Sequence, residues 1–105
     1  MKATLLETKV PATGRPIITD AATRVIQMTV EGVGEVSATA YVEVSNDRIK
    51  WFKACLDMTV GGVASADAPL SDNWPEFSAA WAYMRATVTD VQGQDAKVTL
   101  TLGLV

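Results

Sequence analysis

Histidine is absent from this chain of 105 residues, and cysteine occurs once, as Cys55. Without histidine there is no Ser–His or Cys–His nucleophile pair, and the commonest general base is missing. The usual zinc and copper ligand sets go with it, because a single cysteine cannot assemble one. A lone cysteine also forbids an intramolecular disulfide, and so low a cysteine content fits a reducing compartment. Charge is scarce too: 20% of residues are charged, and the formal net charge is −3. The densest basic group is Arg48, Lys50 and Lys53, flanked by Asp47 and Asp57. Neither nucleic acid nor an anionic membrane surface is therefore expected as a partner. No apolar run is long enough to span a bilayer. The stretch Met1 to Glu7 does not read as a secretory signal, since its apolar run is short and Glu7 and Lys9 interrupt it. Sustained helical periodicity is missing as well.

What the chain has is alternation. Residues 36–60 carry two period-2 patterns around a short polar turn at Ser45-Asn46-Asp47. Val36, Ala38, Ala40, Val42 and Val44 share one face of a strand; Phe52, Ala54, Leu56, Met58 and Val60 share a face of the next. Arg24 to Glu31 alternates likewise, with Ile26, Met28 and Val30 on one face, before a turn at Gly32-Val33-Gly34. Val98, Leu100, Leu102 and Leu104 alternate with Lys97, Thr99, Thr101 and Gly103 in a last strand. Asp90 to Ala96 reads as the hairpin loop joining it to a strand over Ala79 to Thr89. A long irregular loop is expected from Gly61-Gly62 to about Phe77. The expectation is one all-β domain over residues 1–105: an antiparallel β-sandwich, jelly-roll-like, with six to eight strands. At most one short helix is expected, between Asn73 and Ala80. Thr4 to Val10 reads as a short first strand, and residues 1–22 as a partly extended N-terminal arm broken by Pro11 and Pro16. The expected core is Ile26, Met28, Val30, Val42, Val44, Phe52, Leu56, Met58, Val98, Leu100 and Leu102.

Chemistry is hard to find in these residues. Nothing in the spacing of the acidic residues selects a catalytic pair. Cys55 has no base or resolving cysteine beside it and reads as a small half-buried residue. Asp67, Asp72, Asn73 and Glu76 offer oxygen ligands on a loop, but the D-x-D-x-D-G calcium spacing is absent, and turn hydrogen bonds account for them. No enzymatic activity, cofactor or metal is expected. The aromatics are more informative. Tyr41, Trp51, Trp81 and Tyr83 fall opposite the aliphatic faces of their strands, with Arg85 following. Outward Trp, Tyr and Arg are typical of protein interfaces and sugar sites. The alternative is that both faces are covered, or that a bulge turns Trp81 and Tyr83 inward.

Two segments carry a resemblance. The turn Ser45-Asn46-Asp47, with Trp51 four residues on, and the later run Trp81-Ala82-Tyr83-Met84-Arg85-Ala86-Thr87-Val88-Thr89 resemble small β-sandwich proteins of tailed bacteriophage virions, of the capsid cement, decoration and accessory kind. Residues 89–100 are similar to their closing hairpin. The similarity spans about residues 30–105. The same turn and strand also resemble discoidin-like carbohydrate-binding jelly rolls. Both patterns usually have glycine where this chain has Arg48, so the turn must either avoid positive φ or carry strain.

The resemblance implies a non-catalytic virion subunit, assembled in the bacterial host cytoplasm. It would bind major capsid or other virion proteins as a homo-oligomer or in many copies. A hydrophobic fraction of 49% is compatible with apolar surface buried between subunits. The candidate contacts are Trp51, Trp81, Tyr83, Arg85 and Tyr41, with Pro11 and Pro16 in the arm. The alternatives are a glycan-binding module and a tail or neck accessory protein.

Overall fold

A computed structural model describes residues 2–18, 23–54, 57–65, 67–73, 77–78 and 82–104. Its strands are β1 (Lys2–Thr8), β2 (Ala12–Thr13), β3 (Ile17–Ile18), β4 (Thr23–Ser45), β5 (Phe52–Lys53), β6 (Met58–Ala64), β7 (Leu70–Asn73), β8 (Phe77–Ser78) and β9 (Tyr83–Leu104). All belong to one antiparallel sheet, and no helix occurs among the described residues.

Two long strands organise this sheet. β4 and β9 pair along their whole length, from Arg24↔Leu104 to Ser45↔Tyr83. The first stretch of chain runs along the free side of β9, from Lys2↔Gly103 through Ala12↔Val88 to Ile18↔Tyr83. The third runs along the free side of β4, from Val44↔Phe52 through Ala40↔Met58 and Val30↔Leu70 to Thr23↔Ser78. The short strands are thus segments of two outer passes, each interrupted where the central pair bends.

The bend lies at register shifts between Glu31 and Ser37 of β4. Gly93 on β9 crosses it with φ +117, and a Cβ there would sit 2.6 Å from the Glu35 carbonyl oxygen and 2.9 Å from Val36 Cα. Only glycine lets the two backbones approach so closely. On one side of the bend the order is β1, residues 96–104 of β9, residues 23–31 of β4, then β7 and β8. On the other it is β2 and β3, residues 83–92 of β9, residues 37–45 of β4, then β6 and β5. Every pairing in both halves is antiparallel, so the fold is all-β.

Both halves feed one core. Ile26, Met28, Val30, Val98, Leu100 and Leu102 from one half, and Ala38, Ala40, Val42 and Ala86 from the other, are 0% exposed. They form a single cluster with Leu5, Val36, Val44, Val60, Ala64, Met84, Val88 and Ala96. Burying each large member stabilises the fold by roughly 1.5–3 kcal/mol. The alternation of β4 and β9 produces this directly, since one parity faces in and the other out.

Several expectations need correction. Gly32-Val33-Gly34 and Asp90 to Ala96 are not turns between strands: β4 and β9 run through both. The glycines serve a bend inside two continuous strands, where the same local freedom is needed. The irregular stretch after Val60 is largely strand, because β6 extends through Gly61-Gly62 and β7 follows. Residues 2–18 are an edge of the sheet and not an arm, with strands paired on β9 on both sides of Pro11 and Pro16. Phe52 is 53% exposed, since β5 is only two residues long and lies at the sheet margin. Met58 is half-buried against the core, and Leu56 lies outside the described residues. Of the expected helical stretch, Phe77–Ser78 is strand and most of the rest lies outside the described residues.

Candidate functional site

The odd-numbered residues of β4 near its end point away from the core, and the register places their neighbours beside them. Glu43 is opposite Arg85 on β9 and Lys53 on β5; Tyr41 is opposite Thr87; Ser45 is opposite Tyr83. Paired residues in an antiparallel sheet share a face, so one outward row carries Lys53, Glu43 and Arg85 in order. Arg85 Nε donates to Glu43 Oε1 at 3.1 Å, and Thr87 Oγ1 donates to the same oxygen at 3.2 Å. Thr87 Oγ1 also lies 3.2 Å from Thr13 Oγ1 on β2. The Arg85 and Glu43 side chains are 26% and 14% exposed, so this pair is screened less than a surface pair and contributes on the order of 1 kcal/mol.

Three cations lie over three rings. The Arg85 guanidinium is 4.0 Å from the Trp51 ring centroid, Lys53 Nζ is 4.5 Å from that of Tyr41, and the Arg48 guanidinium is 5.1 Å from that of Tyr83. Each such contact contributes about 0.5–1 kcal/mol at an exposed site. Lys53 also pairs with Asp57. The hydrogen bond to that carboxylate, reinforced by its charge, raises the Lys53 ammonium above its ordinary value.

The turn over residues 46–50 holds the end of this array. Ser45 is fully buried; its Oγ donates to Asp47 Oδ1 at 3.0 Å and accepts from the Asp47 and Arg48 amides. Asp47 Oδ1 also accepts from the Ile49 and Lys50 amides at 2.8 and 2.9 Å. These bonds, from Lys50 first, hold the Asp47 carboxyl below its ordinary value. They wind the chain tightly enough to place Arg48 at φ +63, in the left-handed region that favours glycine. The strained residue is the one whose side chain reaches Tyr83. Beside this turn Ile18, paired with Tyr83, is 81% exposed and Ile49 is 80% exposed.

The fold therefore brings Tyr41, Trp51, Tyr83 and Arg85 together on one face. Pro16 lies next to β3 on the neighbouring edge, while Pro11 precedes β2 further along it. Trp81 lies outside the described residues. Lys53, Glu43 and Arg48 belong to the array although alternation did not single them out. The available signal was their spacing: Glu43 is two residues after Tyr41, and Lys53 two after Trp51. The alternative of a bulge that turns Tyr83 inward does not apply, since Ser45↔Tyr83 to Ala40↔Val88 is unshifted.

Elsewhere the surface has shallow recesses. One of 320 Å³ is lined by Glu35, Val36, Ser37, Gly62 and Gln92, with no aromatic side chain. Among the described residues no three of His, Cys, Asp or Glu converge as metal ligands would. The Asp72 carboxylate accepts from the amide of Asn73 at 2.8 Å, a local bond within β7. No protein-family model and no curated protein matches this chain.

Proposed function

We propose that this chain is a non-catalytic structural subunit that docks onto other virion proteins of a tailed bacteriophage, as a cement or decoration protein. The observation that carries the reading is the outward array of Trp51, Tyr41 and Tyr83 interleaved with Arg85, Lys53 and Arg48. Trp, Tyr and Arg are the residues that dominate protein interfaces energetically. Exposed Ile18 and Ile49 extend the same end with apolar surface, which suits the centre of an interface ringed by charge. An all-β antiparallel fold is compatible with viral and lectin domains alike, so the site, not the fold, has to decide.

A glycan-binding module is the second reading. Sugar rings stack on open aromatic faces. Here a cation already occupies one face of each of the three rings, and the recess at Glu35 and Ser37 offers no ring at all. Both observations favour a protein partner. The test is to titrate the isolated chain onto assembled capsids of the phage that encodes it and measure bound copies. Saturable, stoichiometric binding in many copies per particle is the expected result. Absence of binding to particles, with binding of a defined oligosaccharide through Trp51, would establish the glycan reading instead.

A further inference from the structure

We propose that Glu43 is the positioning residue of the aromatic–cation face: its carboxylate fixes the Arg85 guanidinium, and the guanidinium fixes the Trp51 ring, so that the ring is ordered before any partner arrives. The value of that order in binding rests on the docking reading above; the positioning itself does not. Bonds from two further strands lead to one oxygen of this carboxylate. Arg85 Nε and Thr87 Oγ1, both on β9, donate to Glu43 Oε1 at 3.1 and 3.2 Å. Thr87 Oγ1 lies 3.2 Å from Thr13 Oγ1 on β2. A hydroxyl has one proton to give. With the Thr87 proton directed at Glu43, Thr13 is the donor between the two threonines, and the bonds run from β2 through β9 to the carboxylate.

Glu43 differs from the other carboxylates in the described ion pairs. Its side chain is 14% exposed, against 49% for Asp57, 52% for Glu31 and 55% for Glu7. Water competes less for a carboxylate so covered, and charge-assisted bonds to it hold their geometry. The register supplies the aim: Glu43 is directly opposite Arg85, and Thr87, opposite Tyr41, is its diagonal neighbour on the same face.

Trp51 lies between the turn over residues 46–50 and β5. The backbone places its Cα, but its side-chain torsions are set by what the ring touches. The Arg85 guanidinium is 4.0 Å from the ring centroid. An arginine left to itself spreads over many rotamers, and a moving cation does not hold a ring in one place. Tied through Nε to Glu43, it does. An anchor already ordered in the free chain avoids the ordering cost at association, which for these two side chains amounts to about tenfold in affinity.

Fluorine NMR of the whole chain labelled with fluorotryptophan reads this directly. It gives a line for each of the three tryptophans, and Trp51→Phe identifies the line of residue 51. That line should be displaced from its position in the unfolded chain. Glu43→Ala should move it towards the unfolded position, and Glu43→Gln, which keeps an accepting oxygen, should restore most of the displacement. Thr87→Val, a milder change that keeps the shape of the side chain, should move it the same way by less. Glu31→Ala, which removes a carboxylate from the other half of the sheet, should leave it in place. Circular dichroism melts check that each variant is folded. An ion pair that only stabilises the fold would lower the melting temperature without moving the line. An unmoved line in both Glu43→Ala and Thr87→Val would therefore overturn the proposal. In titrations onto assembled capsids, Glu43→Ala should bind about tenfold more weakly and Glu43→Gln nearly as wild type. Wild-type affinity of Glu43→Ala, where Trp51→Ala/Arg85→Ala loses binding, would overturn it as well. If that double variant binds like wild type, the docking reading fails, and the fluorine line still decides whether Glu43 positions Trp51.

Discussion

Gln27, Thr29, Thr99 and Thr101 line the outside of one half of the sheet; Tyr41, Glu43, Lys53, Tyr83 and Arg85, with Trp51 beside them, line the outside of the other. Both halves are built on β4 and β9 and hide the same kind of aliphatic interior. On the first, side chains meet neighbours through hydroxyls, an amide and loose ion pairs: Gln27 Nε2 donates to Ser71 Oγ at 2.7 Å, Thr29 Oγ1 lies 3.4 Å from the same oxygen, and Lys97 Nζ lies 3.5 Å from Glu7 and 3.9 Å from Glu31. Threonine is a good outward residue in a strand and needs nothing more. The polar half shows what the scaffold requires on its outside. The aromatic–cation array exceeds that requirement.

The largest expected effect tests the interior the two halves share. Met28→Ala in one half and Met84→Ala in the other should each destabilise by about 2–5 kcal/mol in chemical denaturation, as fully buried residues do. If one half melts separately, the shared core is refuted. Phe52→Ala should cost clearly less, because Phe52 is largely exposed.

The bend comes next. Gly93→Ala should destabilise by roughly 1–3 kcal/mol, because the added methyl meets backbone atoms of Glu35 and Val36. Gly34→Ala has open space around it, but at φ +80 it should still cost about 1 kcal/mol. Equal, negligible costs at both would show that the bend does not depend on these glycines.

These positions also show what could be read in advance. The inward faces of β4 and β9 were legible, because Ile26, Met28, Val30, Val98, Leu100 and Leu102 follow the pleat. The bend was not, because Gly32-Val33-Gly34 and Gln92-Gly93-Gln94 have the chemistry of a turn, and only the pairing across the sheet distinguishes turn from bend. β2, β3 and β8 are two residues long; their strand character comes from β9 or β4 and leaves no local pattern. Phe52 continued an alternation that ends at Lys53, and periodicity does not report where a strand leaves the sheet. Of the site, Tyr41, Trp51, Tyr83 and Arg85 were visible as outward residues. Their cation partners depended on register and on the tight turn at Asp47.

Smaller effects sharpen the contrast at the turn. Asp47 is held below its ordinary value of 3.8. Its carboxylate therefore stabilises the fold fully above that pH and loses the contribution as pH falls through the lowered value. Asp47→Ala should abolish this part of the acid sensitivity in pH-dependent melts, while Asp47→Asn, which keeps the accepting oxygen, should preserve the turn. Arg48→Gly relieves about 1 kcal/mol of left-handed strain but gives up a ring contact of similar size and loosens the unfolded chain. Stability should change by under about 0.5 kcal/mol, and binding to the partner should weaken.

The most direct test sets the two outer faces against each other in a quantitative particle-binding assay. Trp51→Ala/Arg85→Ala on one face should weaken binding to assembled capsids by roughly thirtyfold or more, as loss of interface anchors does, with the fold intact by circular dichroism. Gln27→Ala/Thr99→Ala on the other face should bind like wild type. Unchanged binding by the first variant, or a loss confined to the second, would contradict the assignment of the aromatic–cation face as the docking surface.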